Sequence, residues 1–308
     1  MKGKIPEKRR ALDLVTVGHL IYDSRCYVEN FPSPDKTVLI ESPIRTSGGG
    51  SAANVAVDAC ILGKTAGLIA NVGTDRHGAF LIHELKRFGV DTKGVNTVKG
   101  ESGSAIILID HQAEVEVIES IGVTEGSEKV DAKYIASARH LHMAGTSLQI
   151  LEKASAAAEK AHCTISFDPG RSKSKLGADK LSRVLKRCHF LIVNRKELML
   201  LTGEHDTKKG ASVLAHKFGL TCVIKGGRHP VIVEGDGESF EMAPFEVKPV
   251  DTIGAGDAFC AGFVVAMLEG NNLRESVKFA NAVAAAKVLF PGAQSLPSRK
   301  WIAKKFKV

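Results

Sequence analysis

Apolar and polar positions follow two different rhythms along this chain. Leu12-Asp13-Leu14-Val15-Thr16-Val17 reads as a strand, and 38–45 as another that runs into Gly48-Gly49-Gly50. Residues 52–62 place small and apolar side chains at helical spacing and stop at Gly63. A strand at 66–72 and an amphipathic helix at 79–88, stopped by Gly89, come next. The runs 104–109 and 115–119 read as two strands paired around a polar turn. From there the pattern is more regular. Short apolar runs at 139–143, 164–167, 189–193 and 221–224 are separated by helical patterns at 148–161, 176–187 and 208–218. Strands alternating with such helices predict βαβ units, hence an α/β fold with a mostly parallel sheet whose ligands gather at the carboxyl ends of its strands. The segments at about 21–45 and 104–119 break this rhythm and predict a small β-sheet projecting as a lid. With no internal repeat, residues 1–308 are read as a single domain.

Charge changes that picture less than its total suggests. The formal net charge is +8, but residues 1–10 carry net +4 and residues 299–308 net +5, which leaves the 288 residues between them at −1. A nucleic-acid-binding body carries its own basic face. The tails therefore read as solvated ends, and no nucleic-acid partner is expected. No apolar run reaches the roughly 18 residues of a membrane helix, and no signal-peptide pattern follows the charged start, so no membrane partner is expected. The six cysteines are widely scattered and read as single thiols in a reducing, cytoplasmic setting. His140 and His142 share a strand face, but no acidic or thiol partner is near in sequence, so a core or surface role is expected rather than zinc.

The chemistry concentrates at Val250-Asp251-Thr252-Ile253-Gly254-Ala255-Gly256-Asp257, a glycine-rich turn that runs into an apolar helix reaching about Leu268. Backbone N–H groups at a helix start lack internal partners and, with the helix dipole, attract an anion. Asp257 falls in the first helical turn beside that anion site. By itself it is either a carboxylate that stabilises the dipole or a general base. Asn194-Arg195-Lys196-Glu197 follows the 190–193 strand and has the pattern of an asparagine N-cap with a glutamate capping-box partner.

Asp251-Thr252-Ile253-Gly254-Ala255-Gly256-Asp257, with Phe259 and Gly262, resembles the second signature of the ribokinase-like (PfkB) carbohydrate kinases. Gly49-Gly50 with Ala53-Asn54 is similar to the first signature, Asn194 to Glu197 to the family's N-x-x-E, and Ala280-Asn281-Ala282 and Gly292-Ala293-Gln294 to the region around the nucleotide base. The resemblance covers nearly the whole chain and implies a three-layer α/β/α domain with a β-sheet lid. It implies an ATP-dependent kinase that phosphorylates a hydroxymethyl group of a sugar or nucleoside. Asp257 would be the general base, with Gly254, Ala255 and Gly256 as the anion hole. Asp23, Gly49, Gly50 and Asn54 would bind the acceptor. Asn194, Lys225, Gly226, Asn281 and Gly292 would serve the nucleotide, although His229-Pro230 stands where a later glycine is expected. Glu197 would organise Mg²⁺ through water, and Asp251, Ile253, Val288 and Gly292 would hold a monovalent cation such as K⁺. The lid would pair two subunits as a homodimer.

A phosphorylated acceptor would require extra cations at the cleft, for which Arg25, Arg45 and Arg171 are the candidates, each expected to face solvent. Gly63-Lys64-Thr65 is set aside as a Walker A end, because Asp58 stands at the motif's first glycine and the segment closes a helix rather than opening one. Its lysine is expected to be solvated. A sugar- or nucleotide-sensing protein without catalysis is the rival of another class, and needs neither Asp257 nor Glu197.

Overall fold

A computed structural model of the chain describes residues 10–112, 114–125, 130–235 and 237–308. Its strands are β1 (Leu12–Val17), β2 (Ile21–Tyr27), β3 (Arg45–Gly49), β4 (Ala66–Gly73), β5 (Val95–Val98), β6 (Ser104–Ile109), β7 (Val115–Ser120), β8 (Ala138–Met143), β9 (Thr164–Phe167), β10 (Phe190–Asn194), β11 (Thr221–Lys225), β12 (Val231–Gly235) and β13 (Glu238–Met242). Nine of them form one sheet in the order β13-β12-β11-β10-β9-β8-β1-β4-β5. It is parallel from β11 to β5, and the hairpin β12–β13 continues it antiparallel. The inner strands are buried on both faces, as parallel strands covered by helices on each side must be. Leu14 points into a core shared with the helices Ser51–Ile61, Ala255–Leu268 and Leu273–Lys287. Its neighbours Val15 and Val17 point into a second core with the helices Leu148–Lys160 and Thr207–Phe218. These are the three layers expected.

The other four strands form a second sheet in the order β3-β2-β6-β7. Ile21, Ala105, Ile107 and Ile109 pack beneath it against Ile253, so the inner face of the lid rests on the glycine-rich turn. The expected strand at 38–45 is not one. Its only pairing is a bridge between Val28 and Ile40, and the strand that pairs with β2 is Arg45–Gly49, glycines included. Pro43 lies within the segment and lacks the N–H that a ladder needs. The helical pattern at 176–187 divides into two short pieces, Gly177–Lys180 and Ser182–Leu185.

Two expectations about exposed charge need correction. Residues 299–308 are not a solvated end. Arg299–Phe306 is a helix with Ile302 and Phe306 buried, and Arg299 donates to Glu269 at 2.6 Å. Lys64 is not simply solvated either, since it pairs with the same Glu269 at 2.8 Å. Most of the N-terminal basic run, residues 1–9, lies outside the described residues. His140 and His142 are core groups held by Thr164 and Ser166, and burial pushes both pKa values down, that of His142 to about 4. All six thiols are unpaired, as expected. Among the described residues, no helix is long and apolar enough to cross a membrane.

Candidate active site

The parallel strands deliver their carboxyl ends to one edge of the sheet. There Asn194 lies opposite Lys225 across β10 and β11, and Asp168 follows β9 directly. Facing them is the start of the helix Ala255–Leu268. Gly254 caps it at φ +78°, a left-handed conformation that glycine adopts without strain. Asp257 stands in the first turn, half-buried, and its Oδ2 accepts from Asn54 Nδ2 at 2.7 Å. The Ser51 side chain also bonds to it. Burial pushes the Asp257 carboxyl up to about 6, against the pull of the Asn54 bond. That places its ionisation just below neutral pH, where a general base works best.

The Lys225 ammonium forms a buried ion pair with Asp168 Oδ2. A Cβ placed on Gly256 would lie 3.4 Å from Lys225 Nζ, so the ammonium flanks the helix start. Burial alone would lower the Lys225 pKa, but the Asp168 carboxylate overrides it and keeps the lysine charged. The same pair holds Asp168 below its usual range despite burial. Within the turn the Ala255 amide already donates to Thr252 at 3.2 Å, so the Gly256 amide is the more available of the two for an anion.

Glu197 and Asn194 form the expected capping box. Asn194 Oδ1 accepts from the Glu197 amide at 2.9 Å, and the Asn194 amide donates to Glu197 Oε2 at 2.8 Å. Glu197 is buried, and burial, then the Asp168 carboxylate, raise its pKa. Among the described residues no cluster of His, Cys, Asp and Glu could chelate a metal outright. Asp168 and Glu197 instead bring two carboxyl groups near Lys225, which suits a cation that keeps its own water.

On the acceptor side, Asp23 is buried over Gly49. A Cβ on Gly49 would stand 2.0 Å from Asp23 Oδ2, so only glycine fits there. Burial raises the Asp23 pKa to about 7, against the nearby Arg25 charge. Asn54 Oδ1 accepts from Gln294 Nε2 at 3.2 Å. A cleft of about 290 Å³ runs from Asp23, Gly50 and Ser51 past Asp168 to His19, Arg171 and Lys173. Asn281 and Gly226 each hydrogen-bond to a backbone group. Asn281 Nδ2 donates to the Ala243 carbonyl at 3.2 Å, and Gly226 closes a turn by accepting from the His229 amide at 3.0 Å. Asp251 accepts from the Ile253 amide at 2.8 Å and the Gly292 amide at 2.7 Å, and Val288 accepts from Val250 and Asp251.

Several participants escaped the sequence reading. Asp168 opens the Asp168-Pro169-Gly170-Arg171 loop, which resembles the family's D-P-N sequence near the cleft, but its bond to Lys225, 57 positions away, was not legible. Arg25 is buried rather than solvent-facing, whereas Arg45 and Arg171 are exposed. Lys287 and Asp58, both fully buried behind the site, sit in helical runs whose small apolar neighbours gave no warning of them.

Comparison with known proteins agrees with this geometry. Residues 11–300 match the profile of the pfkB family carbohydrate kinases. An ATP-dependent ribose-1-phosphate kinase from Halopiger xanaduensis is 33% identical over 94% of this chain and 96% of its own length. A ribokinase from Haemophilus influenzae is 31% identical over 93% and 96%. Among solved structures, an Arabidopsis thaliana ribokinase complexed with ribose and ATP superimposes with a TM-score of 0.85 at 26% identity, covering 97% of this chain and 99% of that one. The likeness spans both sheets, so the architecture is the ribokinase-like fold.

Proposed function

This chain belongs to the pfkB family of carbohydrate kinases and is a phosphotransferase, and on that footing we propose that it moves the γ-phosphoryl group of ATP onto the hydroxymethyl oxygen of a small sugar. The observation that carries this reading is the Asp257 carboxylate, fixed at 2.7 Å by Asn54 in the first turn of a helix flanked by the Lys225 ammonium. Asp257 takes the proton from the attacking hydroxyl. The Gly254–Gly256 turn and Lys225 receive the charge of the transferring group, because phosphoryl transfer depends mainly on positioning and charge neutralisation. Glu197, with Asp168 beside it, would hold hydrated Mg²⁺, which when bound would supply further neutralisation of the phosphates. Asp23, Gly49, Gly50 and Asn54 hold the acceptor, and the lid excludes water that would otherwise hydrolyse ATP. A single ribokinase-like domain carries all of these parts.

One observation favours a phosphorylated acceptor over a plain sugar or a nucleoside. His19, Arg171 and Lys173 line the cleft. Lys173 and His19 each lie 3.0 Å from Glu125, while Arg171 is exposed. Turnover with Mg²⁺ and ATP across ribose, ribose 1-phosphate, ribose 5-phosphate, fructose and nucleosides is expected to favour ribose 1-phosphate. Arg171→Ala should then raise the acceptor KM about 10–100-fold for the phosphorylated sugar and little for ribose, the loss of one charge-assisted hydrogen bond. ATP consumption that is highest with a nucleoside, and unmoved by Arg171→Ala, would overturn the choice of acceptor.

The homodimer remains part of this reading. Ile106 and Ile118, paired across β6 and β7 on the face of the lid turned away from the cleft, are 47% and 61% exposed. Sedimentation should give twice the 32.9 kDa of the chain, and Ile118→Glu should return it to monomer. A wild-type monomer at micromolar concentration would remove the dimer.

A further inference from the structure

The turns at 251–254 and 288–292 are where a monovalent cation was expected, and the chain's own donors already meet Asp251, Val288 and Gly292 there. Asp251 Oδ1 and Oδ2 accept from the Ile253 and Gly292 amides. The Val288 carbonyl accepts two amides, from Val250 at 2.7 Å and Asp251 at 3.2 Å. The Gly292 carbonyl accepts from Ser295 Oγ at 2.6 Å. The Phe290 carbonyl accepts from Lys287 Nζ at 3.3 Å. A dehydrated K⁺ needs such oxygens turned toward it in place of its water shell.

Two cations of the chain flank the same loop. Arg25 reaches across from β2 in the lid, buried, with Nη1 3.9 Å from Asp251 Oδ2. A Cβ on Gly292 would meet that Nη1 at 2.2 Å, so the guanidinium lies flat against the Gly292 backbone. Its Nε and Nη1 have no hydrogen-bond partner among the described residues, so it acts on Asp251 through charge. Lys287 is fully buried at the end of its helix, where its Nζ donates to the Phe290 carbonyl; burial lowers its pKa, and the neighbouring Asp251 and Asp58 oppose that. Asp58 has no hydrogen-bond partner on either oxygen among the described residues, and it also feels Asp257. A third positive charge between Arg25 and Lys287 would be repelled.

We infer that Arg25 and Lys287 stand in for the monovalent cation, so that phosphoryl transfer by this chain is independent of K⁺. They are positioning residues. They touch neither acceptor nor nucleotide, and act by holding the Asp251–Gly254 turn that starts the catalytic helix. Because Arg25 belongs to the lid, the charge arrives with lid contact rather than from solution.

The inference rests on the kinase reading, but one of its readouts does not. Initial rates and thermal melts of wild type, Lys287→Met and Arg25→Gln would be compared in KCl and tetramethylammonium chloride at equal ionic strength. Wild type should differ less than about twofold in rate between the salts, with no K⁺-specific rise in Tm. Lys287→Met should lose about tenfold or more in tetramethylammonium, with K⁺ restoring several-fold and raising its Tm. Arg25→Gln keeps the test open if Lys287→Met does not fold. A saturable K⁺ activation of wild type, or a K⁺-specific rise in its Tm, overturns the inference. So does loss of activity in both variants with no response to K⁺. If wild type turns over no acceptor, the kinase reading fails, while the melts still decide whether K⁺ binds.

Discussion

Replacing Asp257 with Asn is expected to lower kcat about 10²–10⁴-fold while leaving the KM for ATP within a few-fold. The amide can still accept the Asn54 hydrogen bond through its oxygen, so the local geometry survives and only the proton acceptor is lost. The pH dependence gives a second signature. Burial raises the Asp257 pKa to about 6. The ionised form is the active one, so wild-type kcat should fall about tenfold per unit below that pH. The residual rate of the variant should lack this limb. Stability should move the other way. A carboxyl whose folded pKa lies above its unfolded value favours the native state at low pH. That contribution is lost as pH rises from the unfolded value through the folded one. At pH 8 the wild type therefore carries an unfavourable buried charge that Asp257→Asn lacks, and the variant's Tm should equal or exceed wild type. A variant that retains kcat within about tenfold of wild type would remove Asp257 as the base. Burial raises the Asp23 pKa to about 7; in the proposed reading it holds the acceptor rather than the proton in flight, so its ionisation should appear in the acceptor KM instead.

What the sequence made legible was local chemistry. The Asn194–Glu197 box and the Gly254–Asp257 turn are contiguous, and each is built from hydrogen bonds within a few positions. β10 was legible because burial on both faces leaves an unbroken apolar run, Phe190 to Val193. Edge and lid strands were harder. β12 and β13 were missed, and the 38–45 run, with Leu39 and Ile40 exposed, imitates a strand without pairing as one. Long-range charge was not legible. Lys287 ends a run of alanines and reads as a solvated helix end, yet it lies buried because the 288–292 loop folds over it. Arg25 reads as a surface residue of an amphipathic strand and is drawn in by Asp251, 226 positions away.

Lys225→Met should produce the second large effect, and it separates structure from chemistry. Removing the ammonium leaves Asp168 buried and facing Glu197 without a counter-charge. Breaking a buried pair from one side costs about 3–5 kcal/mol. Denaturant unfolding should show a loss of that size. Turnover should fall as well, by about 10²-fold or more, because no cation then stands at the Gly256 turn to meet the transferring phosphoryl group. Adding Asp168→Asn should recover most of the stability, since the uncompensated charge is gone, and a double-mutant cycle would report that coupling. It should not recover kcat, since the ammonium is still missing. If the double variant regained wild-type turnover, Lys225 would be a structural counter-ion to Asp168 and nothing more. If Lys225→Met alone kept both stability and kcat, the ion pair at the end of β11 would have no part in the site.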